Sequence, residues 1–119
     1  GFLATRVDYQ HLAPENYGKQ KVPTLRNVDK RPNRRFVKAF AHNGYFKSLK
    51  EIVHFYNTRD VLPVCAPDDP GEKVTCWPEP EVAANVNRTE LGDLQLTDAE
   101  EDAVVAFMKT LSDGFRNDD

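Results

Sequence analysis

Few residues in this chain of 119 are of types that do chemistry, and their spacing limits what they can do. There are two cysteines, Cys65 and Cys76, three histidines, His11, His42 and His54, one methionine, Met108, and one tryptophan, Trp77. The cysteines bracket the polar loop 66–75. One reading is a disulfide, which would close a short loop, contribute roughly 3 kcal/mol in the chain-entropy picture and indicate an oxidising compartment. The other is a pair of reduced, buried thiols. No histidine or third cysteine stands at ligand spacing from them, which argues against a metal site. Trp77, in an irregular polar stretch, reads as a loop anchor or as an electron relay. His54 falls one turn after Lys50, off the apolar stripe, and is expected to be half exposed. His11 has no informative context.

Two helices must position whatever chemistry there is. Ser48-Leu49-Lys50-Glu51 is a capping box, in which the serine hydroxyl accepts from the amide of Glu51 and the glutamate reaches back to the cap amide. Leu49, Ile52, Val53 and Tyr56 follow at helical spacing as one apolar stripe, predicting a helix over 48–58. A second box, Thr97-Asp98-Ala99-Glu100, opens a helix over 98–112 with Ala103, Val104, Phe107, Met108 and Leu111 as its buried face. Asp98, Glu100, Glu101 and Asp102 crowd its beginning, where the helix dipole favours negative charge, and Gly114 is a natural stop. Residues 1–47 read as irregular or extended, with Pro14 and Gly18 as breakers. Residues 61–92 read as a Pro-rich acidic loop without regular structure, and the tail Arg116–Asp119 as loose.

Composition sharpens this picture. Only 39% of residues are hydrophobic, against about 45–50% in ordinary globular domains. No apolar run approaches the length of a membrane helix. The chain begins with Gly1 and carries no signal peptide, as expected of a processed product or a piece of a longer protein. Charge is divided: residues 1–60 carry 12 Lys/Arg against 5 Asp/Glu, and residues 61–119 carry 4 against 14. The basic half could bind nucleic acid through phosphates. The overall charge of −3 and the lack of any nucleic-acid fold signature weigh against that. A solvated loop, or a surface that neutralises carboxylates, accounts for it better.

Four stretches, in order, carry a resemblance. They are Lys21-Val22-Pro23-Thr24-Leu25-Arg26-Asn27-Val28, Phe40-Ala41-His42-Asn43-Gly44, Ser48-Leu49-Lys50-Glu51-Ile52-Val53-His54-Phe55-Tyr56-Asn57, and Leu96-Thr97-Asp98-Ala99-Glu100 running to Leu111. Together, over about residues 19–113, they resemble the C-terminal end of bacterial di-haem cytochrome c peroxidases and their MauG-like relatives. The resemblance implies an all-α fold, the C-terminal part of a cytochrome c-like haem domain with long irregular loops. It further implies a periplasmic location, peroxide reduction and electron transfer in the complete protein, and a small periplasmic electron-donor protein as partner. One departure matters. Covalent haem c needs Cys-x-x-Cys-His, whereas these cysteines are eleven apart with no histidine after Cys76. Haem c is then expected to be attached by a haem-bearing N-terminal portion or companion chain. The residues present would wall the electron-relay haem.

The resemblance also assigns roles. Tyr56 aligns with the axial ligand of the C-terminal haem, methionine in the typical peroxidases and tyrosine in MauG-like proteins; periodicity alone makes it a core residue. Met108 is a rival ligand by its chemistry and a core residue by its position. Arg26 could bind a haem propionate with its fork or bond backbone carbonyls. His42, in a turn like the family's His-(Asp/Asn)-Gly, could hold a propionate or backbone. The family's calcium ion would fall on the carbonyls of Val37 and Ala39, where the family has Thr and Pro. No catalytic acid or base is assigned, and the chain alone is expected to be inactive. The competing reading is a haem-free, disulfide-stapled secreted interaction subunit. In either case the apolar residues suffice for one wall of a pocket and are few for a closed core.

Overall fold

The computed structural model describes residues 2–114; the tail expected to be loose, Arg116–Asp119, lies outside them. The described chain is helical, with isolated β-bridges but no strands. The helices are α1 (Ala13–Asn16), α2 (Leu49–Thr58) and α3 (Asp98–Thr110), with short 3-10 turns at Phe2–Thr5, Gln10–Leu12 and Ala83–Asn85. The amino-terminal stretch is thus less irregular than its sequence suggested. Pro14 sits in the first turn of α1 and starts it, because its missing N–H is one that a helix start leaves unpaired anyway. Gly18, at φ +79°, ends that segment.

Both long helices begin at the expected caps. Thr97 and Glu100 form the complete reciprocal box at α3. At α2 the Ser48 hydroxyl accepts from the amide of Glu51, but Glu51 reaches one residue further back than the box requires and accepts from Lys47 N–H at 2.8 Å. Helix α3 ends at Thr110. Its last carbonyls are met by Asn27, whose N–H donates to the Leu111 carbonyl at 2.9 Å. Asn27 holds φ +61° there, a conformation asparagine tolerates better than most residues.

The core is small, and half of it comes from segments that are not helices. Phe40, Phe46, Leu49, Val53, Trp77 and Met108 form it. Phe40 and Phe46 face each other across the turn at 41–45, with Phe40 N–H donating to Phe46 O at 2.8 Å. Trp77 is 2% exposed. Its ring packs edge-on against Phe55 and Phe46, with centroids 5.1 and 6.1 Å away, and its indole N–H donates to the Thr58 hydroxyl at 3.0 Å. Cys65 and Cys76 are joined in a disulfide with Cα atoms 5.0 Å apart, which places Trp77 one residue beyond the staple. The loop is fastened again by Lys73, whose ammonium donates to Tyr45 O at 2.7 Å, and by the Tyr45 hydroxyl, which donates to Glu72.

The buried faces of the helices only partly coincide with the ones their apolar residues mark: Leu49, Val53 and Met108 are buried as expected. On α2 the buried residues are Leu49, Val53 and Asn57; at 100° per residue this face is turned by about 50° from the apolar stripe. Tyr56 is left 45% exposed. On α3 the buried residues are Glu101 and Met108, flanked by Val105, a rotation of roughly 90° from the expected face. Ala103, Val104 and Phe107, expected inside, are exposed, Phe107 by 60%. Helix α3 docks on α2 through Glu101, and that contact fixes its rotation whatever its apolar residues would prefer.

The consequence is an open structure. Its accessible surface is 9160 Å², where a closed monomer of this mass exposes about 6,500 Å². The radius of gyration is 16.8 Å, against about 13.5 Å for a compact chain of this length. With so little core, its centre carries unusual weight. Trp77→Ala is expected to cost about 3–5 kcal/mol, read as a loss of denaturant midpoint. The Cys65→Ser/Cys76→Ser pair should cost about 2–4 kcal/mol in the same measurement.

Candidate functional site

The polar junction between α2 and α3 is the most organised group of charged side chains in the described chain. Lys50, His54 and Asn57 stand at i, i+4 and i+7 on α2 and converge on one carboxylate, Glu101 of α3, which is 2% exposed. Oε1 of Glu101 lies 3.0 Å from His54 Nδ1 and accepts from the Asn57 amide at 2.7 Å. Oε2 has only the Lys50 ammonium, 3.1 Å away. Lys50 also binds Asp98 at 2.6 Å and Asp102 at 2.7 Å. His54 Nε2 faces the Val74 carbonyl at 3.2 Å, so the disulfide loop is tied to the same junction.

Burial by itself pushes the Glu101 carboxyl up, and it is the largest single influence. The hydrogen bonds from Asn57, His54 and Lys50, with the charge of His54, outweigh it and hold Glu101 below the ordinary glutamate value. Burial alone would lower Lys50; its bonds to Asp102, Asp98 and Glu101 hold it above the usual lysine range instead.

The residues singled out from sequence fall in separate places. Tyr56 is at the carboxyl end of α2, on a different face from Lys50, His54 and Asn57, with its ring 6.0 Å from that of Phe55. Among the described residues Arg26 engages no backbone carbonyl. Its fork takes Asp113, with Nε 3.1 Å from Oδ1 and Nη2 3.1 Å from Oδ2, and Asn27 adds a bond to the same carboxylate at 3.0 Å. The pair is well exposed. These contacts hold Asp113 below the usual carboxylate range, led by the Arg26 bond. His42 is exposed and faces Glu81 at 3.4 Å, and its neighbour Asn43 donates to Glu81 at 3.1 Å. Val37 and Ala39 flank Lys38, whose ammonium donates to the carbonyls of Asn27 and Lys30, both at 3.2 Å. Among the described residues no three His, Cys, Asp or Glu side chains are grouped to hold a metal ion. Met108 is buried in the core.

Sequence reasoning passed over the junction itself. Glu101 was one acid in a run of four, and Asn57 read as the fading end of a helix. The available signal was the Lys-x-x-x-His-x-x-Asn spacing of 50, 54 and 57, a polar stripe that a solvent-facing surface does not need.

Because Glu101 titrates below its ordinary value of 4.5, its contribution to stability is complete above that pH and drains away as pH falls through the lower folded-state value. Glu101→Gln is expected to lose about 2 kcal/mol at pH 7. The gap to the parent protein should narrow as pH falls below 4.5 and the parent carboxyl takes up its proton. Denaturation midpoints across pH 3–7 check this, and a gap that does not change with pH would contradict it.

Over 120 aligned residues the chain is 38% identical to the methylamine utilization protein MauG of Paracoccus denitrificans (strain Pd 1222). The alignment takes in 95% of this chain and 29% of MauG, so the chain spans under a third of the length of the curated relative it matches. No protein-family model and no solved structure matches it. The resemblance carried by the four short motifs thus extends, as sequence similarity, along nearly the whole of this chain to one part of MauG, a di-haem cytochrome c peroxidase-like protein.

Proposed function

We propose that this chain forms part of the wall of the electron-relay haem in a periplasmic, MauG-like di-haem peroxidase, with Tyr56 as the axial ligand of that haem. The observation that carries the reading is the position of Tyr56. It is a tyrosine 45% exposed at the end of a helix whose neighbouring residues Val53 and Asn57 are buried. It is thus held by a fixed backbone while its side chain remains open to a partner.

The residues present fit a haem. A flat, largely apolar macrocycle needs an apolar wall and one oxygen, sulfur or nitrogen donor. Val104 and Phe107 of α3 are exposed, an apolar face without a partner among the described residues, and Tyr56 supplies a phenol oxygen. Haem, when bound, supplies one-electron redox chemistry. A phenolate is a harder donor than a thioether. As a ligand Tyr56 would favour ferric iron and lower the potential relative to His/Met ligation. The place of Met108 in the core argues against it as the rival donor. Arg26, His42 and the carbonyls of Val37 and Ala39 keep subsidiary roles in the proposal. Arg26 is committed to Asp113 and His42 to Glu81, so a propionate would have to exchange with an exposed carboxylate at either. No helix among the described residues is long and apolar enough to cross a membrane, which accords with a periplasmic protein.

Haem attachment by a portion of the protein that carries Cys-x-x-Cys-His follows from the same reading, as does reaction with peroxide at a second haem. Tyr56→Phe is expected to change the optical spectrum of one haem and leave the other as it was. An unaltered spectrum would remove Tyr56 as ligand. A purified protein with no haem absorption at all would favour the haem-free interaction subunit instead.

A further inference from the structure

We infer that Asn57 is the positioning residue for Tyr56, with the buried Glu101 carboxylate as its anchor; this rests on Tyr56 being the haem ligand. A ligand oxygen must be held to within about 0.5 Å of its productive place. Tyr56 lies in the final turn of α2, two residues before its end at Thr58, where helices loosen and carbonyls lack intrahelical partners. Its side chain is nearly half exposed, so packing does little to fix it. Its place has to be set through the backbone.

The backbone there is fastened on both sides of the Tyr56–Asn57 peptide. The Tyr56 carbonyl accepts from Gly92 N–H at 2.6 Å, and the Asn57 carbonyl accepts from Leu94 N–H at 3.2 Å. The Asn57 side chain completes the clamp. Its oxygen accepts from Leu96 N–H at 3.0 Å, and its amide donates to Leu96 O at 2.9 Å and to Glu101 Oε1 at 2.7 Å. One side chain therefore joins the last turn of α2, the segment 92–96 and the first turns of α3. Asparagine is a weak helix former, and its three bonds here are what it offers in exchange. Alanine at this position would leave Leu96 N–H and Leu96 O without their partner and leave Glu101 Oε1 with His54 alone, all next to the peptide that carries Tyr56. His54 and Lys50 hold the Glu101 carboxylate from the other side, so the anchor stays in place while the link to Tyr56 is tested.

The experiment uses the haem-loaded protein and reads the ferric optical and electron paramagnetic resonance signals of the Tyr56-ligated haem, with its midpoint potential. Asn57→Ala is expected to split a single ligand-field signal into ligated and unligated components and to shift the potential. Ser48→Ala loosens the opposite end of α2 and should leave the signal single. Should Asn57→Ala fail to fold, Asn57→Asp and Asn57→Asp/Glu101→Gln decide the matter. The single change sets one carboxylate against both Glu101 and the Leu96 carbonyl and should disturb the signal; the pair restores a donor and an acceptor at the contact with residue 101 alone and should recover part of it. A signal in Asn57→Ala identical to the parent, while Tyr56→Phe alters it, overturns the positioning role and leaves the ligand in place. The same splitting in Ser48→Ala also overturns it, since any loosening of α2 would then suffice. No change in Tyr56→Phe removes the ligand and the inference together.

Discussion

The structure depends on one carboxylate. Glu101 leaves the acidic start of α3 and enters the chain's interior, where Lys50, His54 and Asn57 receive it. A buried charge costs several kcal/mol to desolvate unless it is paired and hydrogen-bonded, so the arrangement tolerates little displacement. It fixes how far α3 is rotated about its own axis, and its position against α2. It also joins the disulfide loop to both helices, because the far nitrogen of His54 reaches Val74. Two helices and a loop that share one small apolar cluster are thereby held in register by polar groups as well.

That choice decides which apolar residues are used. With Glu101 inside, Val105 and Met108 follow it towards the core, and Val104 and Phe107 are carried outward. The same geometry leaves Tyr56 at the margin of the buried face of α2. The chain sets a buried polar joint beside its small apolar core and leaves further apolar surface at its edge. For a chain proposed to form the wall of a cofactor pocket, this is a consistent division. The joint supplies rigidity where no ligand is needed, and the open face offers area where one is proposed.

Much of this was legible from sequence. Both caps and both long helices stand where Ser48 and Thr97 announce them, since capping is local chemistry. The resemblance to MauG-like proteins was carried by short motifs whose order is itself informative. What could not be read was rotation. Periodicity finds the most apolar face of a helix, and assumes that this face is buried in the chain at hand. On α3 that assumption failed, because burial of Glu101 is a tertiary event involving residues about fifty positions away. Trp77 was hidden for a related reason. Nothing in the polar loop around it marks a core residue, and only the disulfide and the Thr58 hydroxyl explain its place.

The uncovered face of α3 also bears on how this protein's stability is to be understood. A chain with 9160 Å² of accessible surface keeps in water much of what other chains of its size bury. Any partner that binds only the folded form adds to stability by mass action, in proportion to the logarithm of its concentration over its dissociation constant. The melting temperature of such a chain is then a measure of occupancy as much as of sequence. A substitution at Val104 or Phe107 would register as a loss of stability only while that face is covered.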